Sequence, residues 1–175
     1  MDRRSDPMLS AAHLISAVDD IAKTRADGRS TAGVISSTPS SRNTVAGSVD
    51  FTIDMRHPDA DELSRMHDEL MAAAAFPDPA ASVEQIWYSP PVLFNAEVVE
   101  AVRESATEKG FEPIDIVSGA GHDAVYINRV APTGMLFIPC EDGLSHNEAE
   151  NIVEEHATAG AEVTLQSVLR LASSV

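Results

Sequence analysis

Lysine is almost missing from this chain. Among 175 residues only Lys23 and Lys109 occur, and Lys and Arg together number 12 against 28 Asp and Glu. The formal net charge of -16 sets the surface against polyanions, so nucleic acid and anionic membrane are excluded as expected partners. Cysteine is as scarce. Cys140 stands alone, which rules out an internal disulfide and fits a reducing, cytoplasmic compartment. Long apolar runs are absent too, and the charged start Met1-Asp2-Arg3-Arg4-Ser5-Asp6 reads as neither a secretory signal nor a membrane span. No serine sits in a Gly-x-Ser-x-Gly elbow, which leaves a Ser118–His122–Asp123 triad unsupported. What remains is an acidic, alanine-rich composition, suited to a high-salt cytoplasm or simply to an acidic soluble protein.

The length is enough for one domain or two small ones, and the patterning favours two. Asp6-Pro7 predicts a helix start, an acceptor at the cap followed by proline where no N–H is needed. Met8, Ala11, Ala12, Ile15, Val18 and Ala22 then recur at helical spacing. Residues 31–37 read as a strand. Val49, Phe51, Ile53 and Met55 alternate with Asp50, Thr52 and Asp54, which predicts a half-buried antiparallel strand. His57-Pro58-Asp59 opens a second helix with Leu63, Met66, Leu70 and Met71 inward, and residues 83–88 read as one more strand. The order helix-strand-strand-helix-strand lacks only a leading strand, expected upstream of Met1, to be a split β-α-β unit. Ser89-Pro90-Pro91 marks a boundary.

After it the pattern changes. Asn95 is expected to cap a helix running to Lys109, with Gly110 past its end. Strands are expected at 113–117 and 134–138, with a short helix at 124–130 between them and a final helix at 151–172 packing through Val163, Leu165, Val168, Leu169 and Ala172. Such alternation indicates an α/β arrangement with a parallel or mixed sheet, whose ligand loops follow the carboxyl ends of the strands.

Two loops carry the chemistry. In Ser118-Gly119-Ala120-Gly121-His122-Asp123-Ala124 the glycines serve either close approach of backbone to a ligand or a tight turn. His122 and Asp123 form an acid-base pair, a metal-ligand pair or an oriented donor, with a helix cap as the plain role for Asp123. In Gly143-Leu144-Ser145-His146-Asn147-Glu148-Ala149-Glu150 the imidazole of His146 is placed either to ligate a metal or as a surface histidine near a helix start. Glu148 and Glu150 read as carboxylates complementing the helix dipole. In the first half, Arg42-Asn43 lies in a loop and Arg56 ends the polar face of the alternating strand, where its guanidinium either clamps a ligand carboxylate or pairs with Asp54 or Asp59.

Taken together, Met1-x-x-Arg4-x-Asp6, Ser41-Arg42-Asn43-Thr44-Val45-Ala46-Gly47, Asp54-Met55-Arg56-His57-Pro58-Asp59, Ser89-Pro90-Pro91-Val92, Ser118 to Ala124, Ala131-Pro132-Thr133 and Ser145 to Glu150 form an ordered set. In this set the chain resembles the C-terminal half of the N-carbamoyl-L-amino-acid hydrolase and allantoate amidohydrolase family, amidases related to zinc peptidases. The resemblance implies an α/β fold in two parts. Residues 1–89 would be an α+β satellite domain, an antiparallel sheet with two helices that mediates homodimerisation, and residues 90–175 the closing segment of an α/β zinc-peptidase-like catalytic domain. It also implies Asn43, Arg56, Gly119 and His122 as substrate-binding residues and His146 as a metal ligand.

In that family a two-metal centre of zinc, or of manganese, cobalt or nickel, acts on a small carboxylate-bearing ureide. The general base and the remaining ligands would lie before Met1, so no catalytic residue is expected in this chain. The expectation is an N-terminally shortened amidohydrolase of the carbamoyl or ureido C–N bond, with little turnover alone. The alternatives are a non-catalytic dimerisation or substrate-binding fragment, and an allantoate amidohydrolase or dipeptidase of the same family.

Overall fold

A computed structural model describes residues 3–173. The chain divides into two compact units, one up to Pro91 and the other from Val92. No helix among the described residues is long and apolar enough to cross a membrane.

The first unit opens with α1 (Pro7–Lys23), whose first turn is closed by the Asp6 carboxylate accepting from the Met8 N–H. Its buried face is Ser10, Ala11, Leu14, Val18, Ile21 and Ala22. Met8 and Ala12, expected inward, lie at the surface, because the buried stripe is offset from the periodic set by part of a turn. Strands β1 (Arg29–Thr38) and β2 (Ser48–Arg56) pair antiparallel, from Arg29 opposite Arg56 to Thr38 opposite Ser48. A bulge lies between Ala32 and Ile35. A Cβ on Gly33 would come within 2.8 Å of the Thr52 hydroxyl, which takes the Val34 N–H instead, so only glycine lets the strands approach there. Along β2 burial alternates strictly, with Phe51, Ile53 and Met55 packed on the core and Asp50, Thr52, Asp54 and Arg56 in solvent.

Helix α2 (Ala60–Ala75) follows, capped by Asp59, whose Oδ1 accepts from the N–H groups of both Asp61 and Glu62 at 2.9 Å. The core is Leu14, Val18, Ile21, Ala22, Met66, Leu70 and Ala74, with Ala81 and Val83 against it. Met71 is exposed, and Ala74 takes its place in the stripe. Arg25 ties α1 to α2, donating to Glu62, to both oxygens of Glu69 and to the Ile21 carbonyl. Residues 83–88, expected as a strand, pair with no neighbour among the described residues, where the sheet has two strands. A strand exists only as part of a ladder, and alternation alone does not supply the neighbour.

The second unit contains α3 (Ala96–Glu108), α4 (Asp123–Ile127) and α5 (Glu154–Ser173). Asn95 caps α3 through the Val98 N–H, and Gly110 at φ 86° ends it in the left-handed conformation that a Cβ disfavours. Helices α3 and α5 bury small residues, Ala101, Ser105 and Ala106 on one and Val163 and Ser167 on the other. Both serines return their hydroxyls to the carbonyl four residues back, at 2.6 and 2.7 Å. Leu165, Val168 and Leu169, expected inward, are exposed. Residues 113–117 and 134–138 form no strand among the described residues. Among the described residues the parallel or mixed sheet expected here is therefore not formed, for the same want of a ladder partner. The final helix starts at Glu154 rather than near Asn151, since residues 144–151 are spent on turns.

Candidate functional site

In the first unit the candidate residues sit at the two ends of the β1–β2 hairpin. Asn43 is exposed in the connecting loop, closed by the Gly47 N–H donating to the Thr38 carbonyl at 2.7 Å. Its Oδ1 accepts from the Ser41 hydroxyl at 3.0 Å, a short-range turn contact. Arg56 terminates β2 at the opposite end. The eight strand steps from Ser48 to Arg56 span roughly 27 Å at about 3.4 Å each. The backbone bonds of the connecting loop, Ser41 to Pro39 and Gly47 to Thr38, stay at its own end of the hairpin.

Arg56 grips a carboxylate already. Its Nε donates to Asp54 Oδ1 at 2.6 Å and its NH2 group to Oδ2 at 3.0 Å, the bidentate fork that planar guanidinium and carboxylate groups favour. The hydrogen bonds and charge of Asp54 push the guanidinium pKa above its ordinary value. Both side chains project from the solvent face of β2 and remain about half exposed, so the pair is open to exchange with a ligand carboxylate. His57, next in sequence, is occupied structurally. The Asp59 N–H donates to its Nδ1 at 3.0 Å, which leaves Nε2–H to donate to the Ala26 carbonyl at 2.9 Å.

In the second unit, Gly119 and His122 share one loop. His122 takes the cap position of α4 but makes no side-chain cap bond, and Asp123 is the first helical residue rather than the cap. The turn therefore frees the imidazole, and Asp123 gives the first turn its negative charge. His122 Nε2 lies 2.7 Å from Ser118 Oγ, and its ring stands edge-on to Phe137, 5.5 Å between centroids at 65°. Sequence pairs Ser118 with His122 only as members of an unsupported triad, and the contact itself comes from the fold. The signal for it was a hydroxyl four residues ahead of the histidine across a Gly-Ala-Gly turn, set aside because no nucleophile elbow surrounds it.

His146 lies in the other loop, exposed and at φ 56°, a left-handed backbone that non-glycine residues seldom adopt. Glu150 holds that conformation, its Oε2 accepting the His146 N–H at 2.7 Å. Glu150 thus stabilises the histidine turn and is not a first-turn carboxylate of α5, as the spacing had suggested. Glu148 precedes α5 as well and lies in the same turn region. Among the described residues no three of His, Cys, Asp or Glu come together as a metal site. A catalytic zinc takes about three protein ligands plus water, so the described residues do not fit a complete metal centre.

Known proteins resemble this chain in sequence and fold. Residues 5–170 match peptidase family M20/M25/M40. The chain is 39% identical to an N-carbamoyl-L-amino-acid amidohydrolase of Rhizobium meliloti over 180 aligned positions, covering 100% of this chain and 43% of that protein. It is 30% identical to an allantoate amidohydrolase of Bacillus subtilis, over 98% of this chain and 43% of that one. A solved amidase of the hydantoinase/carbamoylase family from Burkholderia multivorans superposes with a TM-score of 0.88 at 44% identity, again over 97% of this chain and 43% of that one. The chain therefore spans less than half the length of the curated relatives it matches.

Proposed function

This chain belongs to peptidase family M20/M25/M40, and from that premise we propose that it supplies the substrate clamp of a metal-dependent amidohydrolase cleaving the carbamoyl or ureido C–N bond of N-carbamoyl-L-amino acids or related ureides. The observation that carries the proposal is the Arg56 fork closed on the Asp54 carboxylate on an open strand face. A substrate carboxylate presents the same two oxygens and replaces Asp54 there. The names of the relatives, N-carbamoyl-L-amino-acid and allantoate amidohydrolase, agree in naming ureide substrates.

In this reading Arg56 fixes the substrate carboxylate, Asn43 donates its amide to substrate, and the Gly119 backbone and His122 are the substrate-binding groups of the second unit. The positions of Asn43 and Arg56 at opposite ends of one hairpin support a shared clamp drawn from two copies, hence a homodimer through a satellite domain of residues 1–89. Residues 90–175 belong to the catalytic part. His146 contributes a single imidazole to a divalent-metal centre whose other donors come from outside the described residues. That metal supplies Lewis-acid and water-activating chemistry when bound, and what this chain contributes is position. Holding the substrate in one orientation removes entropy from the barrier.

The purified chain, supplied with zinc or manganese and a panel of N-carbamoyl-L-amino acids, allantoate and dipeptides, is expected to show no turnover. Hydrolysis at ordinary enzymatic rates, about 1 to 10³ s⁻¹, would sink the proposed division of labour. Adding the part of the Rhizobium meliloti relative that this chain does not cover should restore ureide hydrolysis. Arg56→Ala should then lower kcat/KM on the order of 100-fold, as expected for two charged hydrogen bonds. Mixing Asn43→Ala and Arg56→Ala chains tests the shared clamp, because a mixed dimer rebuilds one intact site. Failure of complementation to restore any turnover, with ureide binding retained, would favour a non-catalytic binding role.

A further inference from the structure

The loop before α4 contains a hydrogen-bond arrangement that determines which face His122 offers a ligand. Ser118 and His122 are both half-buried, and the hydroxyl stands 2.7 Å from Nε2. A serine hydroxyl has one proton to give and two lone pairs to receive with. Here one lone pair takes the Ala120 N–H at 3.3 Å. Two acceptors compete for the proton, Nε2 at 2.7 Å and the Ala120 carbonyl at 3.4 Å. A hydrogen bond donated by a hydroxyl is well formed at a donor–acceptor distance of 2.7 Å, while 3.4 Å lies beyond the ordinary range. A ring donating from Nε2 would leave the hydroxyl proton only that long carbonyl contact, so the arrangement is best satisfied with the hydroxyl donating to Nε2, and a neutral ring that accepts there carries its own proton on Nδ1. The edge-on Phe137 packs against the ring and leaves it in that orientation.

We propose that Ser118 is a positioning residue that holds neutral His122 as the Nδ1–H tautomer, so that His122 meets a carbonyl or carboxylate oxygen of the substrate as a hydrogen-bond donor. Resting on the reading of His122 as a substrate residue, this selects one of its open roles. A ring whose Nε2 accepts from Ser118 and whose Nδ1 bears a proton has no lone pair left for a metal. It differs from His57, where the backbone N–H of Asp59 occupies Nδ1 and the opposite tautomer results.

Long-range proton–nitrogen correlation spectra of the ¹⁵N-labelled full chain read the tautomer directly, with His122→Gln assigning the signal. At pH about 9, where an ordinary imidazole is neutral, His122 should show a pyrrole-type Nδ1 and a pyridine-type Nε2, the reverse of what free histidine favours. Ser118→Ala should return the ring to the free pattern, and Ser118→Thr, which keeps the hydroxyl, should preserve the native one. A pyridine-type Nδ1 in the native chain would overturn the proposal whether or not any variant folds, as would an unchanged pattern in a folded Ser118→Ala chain. Titrating N-carbamoyl-alanine should shift Nδ1 selectively. Absence of that shift with the tautomer intact overturns the donor role in substrate binding, and so separates failure of the functional reading from failure of the Ser118 assignment.

Discussion

The unit up to Pro91 and the unit from Val92 bury different kinds of side chain. The first closes two amphipathic helices over one face of a hairpin, and Met66, fully buried, sits among Val18, Leu14 and Leu70. The second joins α3 to α5 through alanines, serines and Val163, while Ile114, Ile116, Val130 and Leu165 stay in solvent, Ile114 at 81% exposure. Close backbone approach between small residues gives order with little hydrophobic yield, since burial free energy follows apolar area. The lesson is that the two units depend on different terms: the first on core volume, the second on helix capping and on close contacts such as the Gly134 backbone against Val98 and Gly160 against Ile138.

The largest expected effect tests core volume. Met66→Ala should destabilise the first unit by about 2–5 kcal/mol, read by urea titration with amide exchange resolving the two units. Val163→Ala, equally buried in the second unit, should cost only about 1–2 kcal/mol, because it removes two methyl groups from a contact between small residues. Equal losses at the two sites would break the comparison.

Capping comes next. Asn95→Ala should cost the second unit about 1 kcal/mol, since Asn95 alone caps α3. The corresponding cap in the first unit titrates. The N–H groups of Glu62 and Asp61 hold the Asp59 carboxyl below its usual 3.8. Glu69 is likewise held below its ordinary range by Arg25. A carboxylate with a depressed folded pKa stabilises fully above its unfolded value and loses that contribution as pH falls through the folded one. Acid should therefore loosen α2 before α3, with protection of the α2 amides falling below about pH 4, whereas the neutral cap Asn95 gives α3 no such dependence. Asp59→Asn should reduce that acid sensitivity while keeping most of the cap, and an unaltered acid profile would count against the assignment.

The smallest effect concerns the clamp. Asp54→Asn removes the carboxylate competing for Arg56, so a carboxylate-bearing ureide should bind a few-fold more tightly in calorimetry, in keeping with the modest strength of an exposed ion pair. Weaker binding would show that Asp54 orients the guanidinium rather than occupying it.

Much of the first unit was legible because its signals are local. Asp6-Pro7 and Asp59 mark helix starts through acceptor groups within reach of the next N–H groups, as Asn95 does in the second unit, and β2 declares its inner face by strict alternation. Residues 83–88, 113–117 and 134–138 misled for a related reason, since a strand-like composition says nothing about whether a neighbour is there to pair with. The motif residues were legible as residue types in order. Their roles were not, because Ser118 against His122 and Glu150 against the His146 backbone are matters of loop geometry within a few ångströms.

By itself the sequence determined the acidic surface, the capped helices, the hairpin and the family, all properties of composition, of contacts between residues close along the chain, or of ordered motifs. Only the tertiary structure decided that Asn43 and Arg56 stand at opposite ends of one hairpin and that Arg56 already holds a carboxylate. Those facts depend on register and on where loops turn, which local propensity leaves open and packing settles.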